Sequence, residues 1–422
     1  MIKTVEWHTC MQVEFQKDSL SAVLKCSLSV TQSASFPVNS EAGPPESLKV
    51  SMKIERIESI PVQIPLKEGF STKTAHGVHA VSNYVIVRVY TDQGLIGLGE
   101  ATVAPRWSGE TSATCLNIIN ELLAPALVGQ NPLDITRLRY RMDRVTKLNP
   151  FTKAALEMAL WDIAGKAANM PVCQLLGGPV RDSMRIKLVI GALDKPSVIQ
   201  LAERFLAMGV TCLKVKTGIN AEEDIARVRT VREVAGPDIP ITIDSNCGWN
   251  ITTARHALQR MADQNILLAE QPIPPNDPAA MGALRATVPM PIMADESVFT
   301  LTDAWNVCAA GGADILSVYP GKHGGIAATV EIANVAKAAG IVCAIGSNLE
   351  LGIGTAAMLH VAAALPTIDS ETYPADLVGP IYHEADLLTE PLQLGPPAAV
   401  CPMGPGLGVT LDEKQLKRWR VD

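Results

Sequence analysis

Two patterns of apolar and polar positions divide the chain. From residue 53 to about 110, apolar residues alternate with polar ones in RIESIPVQIPL and SNYVIVRVYTDQGLIGLGEAT, which predicts an antiparallel meander. TDQG (91–94) reads as the turn between two of its strands, with Gly94 suited to a positive φ. Helical spacing follows in ETSATCLNIINELLAPALVG, RYRMDRVTK and PFTKAALEMALWDIAGKAANM (150–170), and LLGGPVRD (175–182) ends this α+β unit. From about residue 185 short apolar runs alternate strictly with helical ones such as AEEDIARVRTVREVAG and ATVEIANVAKAAG. The strand candidates are RIKLVIGA, TCLKVKTG, PITIDSN, ILLAEQP, MPIMADES, ILSVYPGK, IVCAIGSN and, more weakly patterned, TIDSETY. Repeated βα units over roughly 200 residues predict an α/β protein with a parallel barrel in preference to an open sheet.

The expected organisation is therefore an extension over 1–51, an α+β domain over 52–183, a barrel over 184–390, and a Pro/Gly-rich segment over 391–422 that packs back on the first domain. The extension contains the Ser-rich stretch SLSAVLKCSLSVTQSASF, whose apolar part is broken by Lys25, followed by the linker-like SEAGPPES. It is expected to be poorly ordered and not a secretory signal.

Composition removes several function classes. Of the 422 residues, 47% are hydrophobic and 19% charged, ordinary proportions for a soluble α/β protein of about two domains. A net charge of −7 argues against a nucleic-acid partner and gives no reason to invoke an anionic membrane surface. No apolar stretch reaches the ~18 residues of a membrane span. Nine cysteines lie without CxxC spacing, a pattern that fits buried, reduced thiols in a cytoplasmic protein better than a disulfide framework or a zinc site.

Chemistry enters at the strand ends. Three apolar runs close on acids, Asp244 in PITIDSN, Glu270 in LLAEQP and Asp295 in PIMADES, about 25 residues apart, or one βα repeat. Carboxylates ending consecutive parallel strands point into one mouth, where three unpaired charges repel and a divalent cation is the simplest neutraliser. Lys214 and Lys216 sit two apart on an earlier strand, so both project to one face, where a crowded amine can act as a base. The remaining strand ends carry Asn246, Glu296, Tyr319, Lys322, Ser347, Asn348 and Glu350.

With these motifs in order, the chain resembles the enolase superfamily, muconate-lactonizing (muconate cycloisomerase-like) subgroup of the mandelate racemase/muconate lactonizing family. LKVKTG matches that subgroup's Lys-x-Lys, and DSN, EQP and ADES match its three metal-bearing strand ends in order and spacing. PFTKAALEMALWDIAGK and LLGG match its capping helix and the crossing into the barrel. The resemblance runs from about residue 53 to the C-terminus. It implies a modified (β/α)7β barrel with an α+β capping domain, and Mg²⁺, or Mn²⁺, held by Asp244, Glu270 and Asp295. It also implies Lys216 as the base that removes a proton α to a carboxylate on a small carboxylic acid, with the metal stabilising the enediolate; a lysine or histidine base with Mg²⁺ is a general pattern of this superfamily. Lys214 is then an electrostatic partner, and Asn246 and Glu296 orient the ligands. PRWSGET and GFSTKTAHGVHA fall where the family's capping domain closes over substrate, which makes Arg106, Trp107 and Lys73 specificity candidates. Ser347, Asn348 and Glu350 fall at the seventh strand, Glu350 as a polar relay or a packing residue. By analogy the protein is a homo-oligomer.

One departure from the subgroup bears on the reaction. The position of its second catalytic lysine, counted back from Gly324–Gly325, holds Tyr319, while Lys322 lies three residues later. Tyrosine, with an ordinary pKa of ~10, is a poor base. One-base cycloisomerisation or β-elimination is therefore the leading expectation, and a two-base racemase or epimerase of an amino-acid derivative or dipeptide is the alternative. A non-catalytic metal-binding relic and a Schiff-base aldolase explain fewer of these residues.

Overall fold

The computed structural model describes residues 52–421, so the expectation for 1–51 lies outside the described residues. The predicted meander is an antiparallel sheet in which Val81–Thr91 lies between Ile54–Pro65 and Ile96–Val103, with Val62 opposite Tyr84 and Val85 opposite Ala101. The segment 69–80 leaves this sheet and forms its own hairpin, Thr72–Thr74 against Gly77–His79.

Helix Pro150–Ala168 packs across the sheet and is buried on nearly every side, which is why its apolar positions do not form a single stripe. Close approach requires glycine on the facing strand. A Cβ at Gly97 would come within 2.1 Å of the Ala159 carbonyl oxygen, and one at Gly99 within 1.8 Å of that of Ala155. On its other side this helix meets the barrel. Glu157 accepts hydrogen bonds from the Ile326 and Ala327 N–H groups (2.7 and 2.9 Å) at the start of helix Ile326–Ala338. A buried carboxylate there complements the positive helix end and satisfies two otherwise orphaned donors. Gly325, at φ 133°, makes room for it, since a Cβ would lie 2.4 Å from the Glu157 carboxyl carbon.

Seven parallel strands form the barrel wall: Leu188–Ile190, Leu213–Lys216, Ile241–Asp244, Ile266–Glu270, Ile292–Ala294, Ile315–Val318 and Val342–Ile345, paired in chain order. Register aligns Lys216 with Asp244 and Asp244 with Glu270, so the charged ends share one rim. The wall is closed by the following segment through isolated bridges, Ile368 to Cys343 and Ala375 to Ile186. The expected strand TIDSETY does not form: its polar residues make a turn, with Tyr373 N–H donating to the Asp369 carbonyl (3.0 Å) and Thr372 N–H to the Asp369 side chain (3.0 Å). RIKLVIGA likewise divides, because Ser183–Arg185 pairs with Ala398–Val400, Ile186 makes the closing bridge and Leu188–Ile190 forms the barrel strand. The architecture is the modified (β/α)7β barrel with its capping layer; one large apolar cluster runs through both, and a smaller one of Leu268, Met293, Ile315 and Ala344 lies on the barrel strands. None of the described helices is long and apolar enough to cross a membrane.

Candidate active site

A cavity of about 260 Å³ opens at the carboxyl ends of the barrel strands. Its floor carries Lys214, Lys216, Asp244, Asn246, Glu270 and Asp295; its far wall carries Ser347, Asn348 and Asp376; its roof carries Thr72, Thr74, His76, Arg106 and Trp107. Strand alternation brings both lysines inward from one strand. The turns beyond the third and fourth strands are tight, with Asn246 at φ 41°, Cys247 at 64° and Gln271 at 34°, the left-handed region in which Asn is better tolerated than Gln or Cys. Gln271 holds the rim together: its side-chain oxygen accepts from the Asp295 and Ser297 N–H groups (2.9 and 3.1 Å), and its amide donates to the Ile273 carbonyl and Ser297 Oγ (both 2.8 Å).

Charges are distributed unevenly. Lys214 Nζ lies 3.0 Å from Asp244 Oδ2, 2.7 Å from Glu270 Oε2 and 3.0 Å from Asp376 Oδ2. Burial alone would lower its pKa, but Asp244, Asp376 and Glu270 together hold the ammonium well above the usual lysine range. Lys216 Nζ donates to Asp244 Oδ2 (2.6 Å) and Asn246 Oδ1 (2.9 Å). Asp244 thus has two cations, and against the effect of burial Lys214 and Lys216 hold it below the usual carboxylate range. Glu270 is the least compensated acid. Burial, followed by the neighbouring Asp244, pushes its carboxyl up to about 8. The Lys214 contact is short but off the hydrogen-bonding direction, so Glu270 Oε2 has no hydrogen-bond donor among the described residues. Three acids around one ammonium raise the pKa of Lys214, and one ammonium shared among three acids leaves Glu270 raised as well.

This donor set fits a hard divalent cation: three buried carboxylates on one cavity wall, all oxygen donors, one oxygen without a partner. Asp244 and Glu270 carry oxygens against Lys214, while Asp295 is held by Lys322. Among the described residues, the one trio of His, Cys, Asp or Glu side chains with donor atoms mutually within 4.8 Å lies elsewhere.

Several expected residues are not brought to the cavity. Lys322 is fully buried on the turn after the sixth strand, where it donates to Asp295 Oδ1 (2.5 Å), the Asp295 carbonyl (2.9 Å) and the Ser317 carbonyl (2.8 Å). Tyr319 is equally buried; its hydroxyl faces the Trp107 indole N–H, and neither group makes a hydrogen bond of full geometry among the described residues. Burial, then Asp295, raises that phenol well above its ordinary value. Neither side chain lines the cavity, because the chain turns into Pro320–His323 at that point and carries both behind the rim. Glu296 also lies behind it, accepting from Asn246 Nδ2 (3.1 Å) and lying 3.3 Å from His76 Nε2. Glu350 is buried and supports the seventh-strand loop, accepting from Ser347 Oγ (2.5 Å) and the Asn348 N–H. Lys73 is exposed and points outward, while its hairpin neighbours Thr72 and Thr74 face the cavity, as alternation requires.

Asp376, Lys187, His76 and Gln271 were not singled out by sequence. Lys187 Nζ lies 3.1 Å from Asp376 Oδ2. Asp376 ends the segment that closes the barrel and would have been found by the same strand-end rule, had the eighth position been read at PADLVG instead of TIDSETY.

The Enolase C-terminal domain-like model matches residues 197–415, and the Mandelate racemase / muconate lactonizing enzyme, N-terminal domain model matches residues 57–177. The chain belongs to the mandelate racemase/muconate lactonizing family of the enolase superfamily. It is 32% identical to the N-succinyl-L-Arg/Lys racemase of Bacillus cereus, over 88% of this chain and 98% of the racemase. It is 35% identical to the hydrophobic dipeptide epimerase of Enterococcus faecalis, over 85% of this chain and all of the epimerase (100%). The muconate lactonizing enzyme of Pseudomonas fluorescens, solved in complex with muconolactone, superposes with a TM-score of 0.84 at 32% identity, covering 88% of this chain and 100% of that enzyme. This member of the family is accordingly an enzyme, and relatives of similar identity run different reactions.

Proposed function

We propose that this enzyme removes a proton α to the carboxylate of a small carboxylic acid by one-base chemistry, with cycloisomerisation or β-elimination as the outcome. The observation that carries the reading is that, of the four candidate acid/base residues, Lys216 alone faces the cavity without being shared among several acids. Lys216 Nζ would take the α-proton while Asn246 Oδ1, 2.9 Å away, orients it. The electron pair of the broken C–H bond moves onto the substrate carboxylate as an enediolate, and Lys214 is the fixed positive charge near that group. Asp244, Glu270 and Asp295 would hold Mg²⁺ or Mn²⁺, which when bound offsets negative charge developing on the substrate oxygens. The enediolate then expels a β-substituent. A carboxylate leaving group, whose conjugate acid has a pKa of about 4, needs no proton, so a second acid is not required. The protonated Lys216 retains the abstracted proton for return on the same face.

Racemisation of an amino-acid derivative is the second reading. It is favoured by the racemase and epimerase relatives and would require His76, at the cavity roof, to exchange protons on the opposite face. Incubation with candidate acids in D₂O separates the two. Deuterium at the α-carbon with retention, lost in Lys216→Ala, supports one-base chemistry; deuterium with inversion overturns it.

A further inference from the structure

Outside the catalytic cavity, three segments distant in sequence bring sulfur and imidazole together. Cys173 lies in the short helix Val172–Leu175 at the crossing into the barrel, His360 in helix Gly352–Ala364, and Cys401 just beyond strand Ala398–Val400. All three are buried, and their donor atoms lie mutually within 4.8 Å. Cys401 Sγ is 3.3 Å from His360 Nδ1, and the thioether of Met403 is 3.9 Å from Cys173 Sγ. Tetrahedral zinc with bonds of ~2.3 Å to sulfur and ~2.0 Å to nitrogen has ligand–ligand edges of roughly 3.5–3.8 Å. The Cys401–His360 separation is close to the shorter of those edges, and the remaining pairs lie within 4.8 Å.

We propose that Cys173, His360 and Cys401 form a Zn²⁺ site that fastens the C-terminal segment to the junction of cap and barrel, with its fourth position toward Met403. His360 is oriented for the role. Its Nε2 faces the Leu407 carbonyl, short of full hydrogen-bond geometry, while Nδ1 lies 3.2 Å from the Cys173 N–H and 3.3 Å from Cys401 Sγ, so on metal binding its one lone pair turns from that N–H to the ion. An outer carbonyl on the non-ligating nitrogen is the usual companion of a metal-bound histidine.

Charge balance selects the ion. Entry of Zn²⁺ forms two Zn–S bonds and one Zn–N bond, and each thiol gives a proton to solvent. Two thiolates and a dication are neutral overall, the form an apolar interior accepts. Two sulfurs and an imidazole exclude Mg²⁺, so this chain carries one oxygen site for a hard cation and one sulfur site for a soft one. Met403, 55% exposed, marks the side from which an ion can enter. Sequence spacing concealed the site, because no two of its ligands lie within one short motif.

The test uses the full chain, reduced, stripped with chelator and kept in excess Mg²⁺ so that the carboxylate site is filled. Titration with Co²⁺ is expected to give a thiolate-to-metal charge-transfer band saturating at one equivalent and displaced by one equivalent of Zn²⁺. Zinc binding to the wild-type protein should release two protons in unbuffered solution, and Cys401→Ser should weaken Co²⁺ binding by on the order of 100-fold or more. Absence of the band, release of no protons, or a band that survives Cys401→Ser (a thiolate elsewhere, such as Cys247) overturns the proposal. Should Cys401→Ser fail to fold, the wild-type proton count alone decides.

Discussion

At the scale of single residues, the decisive contrast is between Lys216 and the pair Tyr319 and Lys322. Under the proposed one-base chemistry, Lys216→Ala should lower kcat by on the order of 10²–10⁴-fold while leaving Mg²⁺ affinity nearly intact, because the proposal makes the removed group a base and not a ligand. Isothermal titration with Mg²⁺ beside a turnover assay checks both halves, and retained turnover would sink the assignment. Tyr319→Phe should change kcat/KM by less than about threefold, since the hydroxyl is outside the cavity. The same change deletes a buried hydroxyl that makes no hydrogen bond of full geometry among the described residues, and it should be neutral to about 1 kcal/mol stabilising in urea unfolding. The three carboxylates and two lysines of the floor were legible in sequence because strand-end position fixes their direction. Tyr319 and Lys322 were not, since a single turn after the strand decides whether a side chain enters the cavity or passes behind it. Lys73 failed for a related reason: in a two-stranded hairpin, adjacent residues face opposite ways, and the register was not visible.

At the scale of elements, the Gly324–Gly325 pair acts at the cap–barrel contact. Gly324→Ala meets no atom within 4 Å and costs only its left-handed backbone, about 1 kcal/mol. Gly325→Ala drives a methyl into the Glu157 carboxylate that caps helix Ile326–Ala338 and should cost about 3 kcal/mol or more. Chemical denaturation of both variants tests the difference, and equal losses would mean that the capping contact contributes little. The elements themselves were mostly readable, because a parallel strand buried on both faces leaves an apolar run bounded by turns. The eighth was missed where polar residues and prolines replace strand pairing with bridges. No local pattern announces Glu157 as a cap for a helix about 170 residues later, since in its own helix it is simply an acid at an inward position.

For the whole molecule, pH and metal are the accessible levers. His383 joins the capping strand to the barrel, lying within 2.8 Å of Ser82 Oγ and Tyr84 OH and 2.7 Å from the Gly379 carbonyl. Burial pushes it down to about 4, against about 6.5 in an unfolded chain. Between those values the unfolded state binds the additional proton. Stability is therefore complete above pH ~6.5 and is lost as pH falls toward ~4, by up to about 3 kcal/mol from this residue. The slope of unfolding free energy against pH should flatten by nearly one proton in His383→Gln, and an unchanged slope would refute the assignment. Mg²⁺ at about 100 times its Kd should raise the unfolding free energy of chelator-treated protein by about 2.7 kcal/mol, and no shift would remove the carboxylate triad from metal binding. The shared core has a consequence for descent. With cap and barrel locked through the buried Glu157 carboxylate, the parts of the cavity lining that lie outside this frame are short stretches such as 72–79 and 104–107. Overall identity between two such proteins is then dominated by the shared frame, in keeping with a racemase at 32% and an epimerase at 35% identity to this one chain.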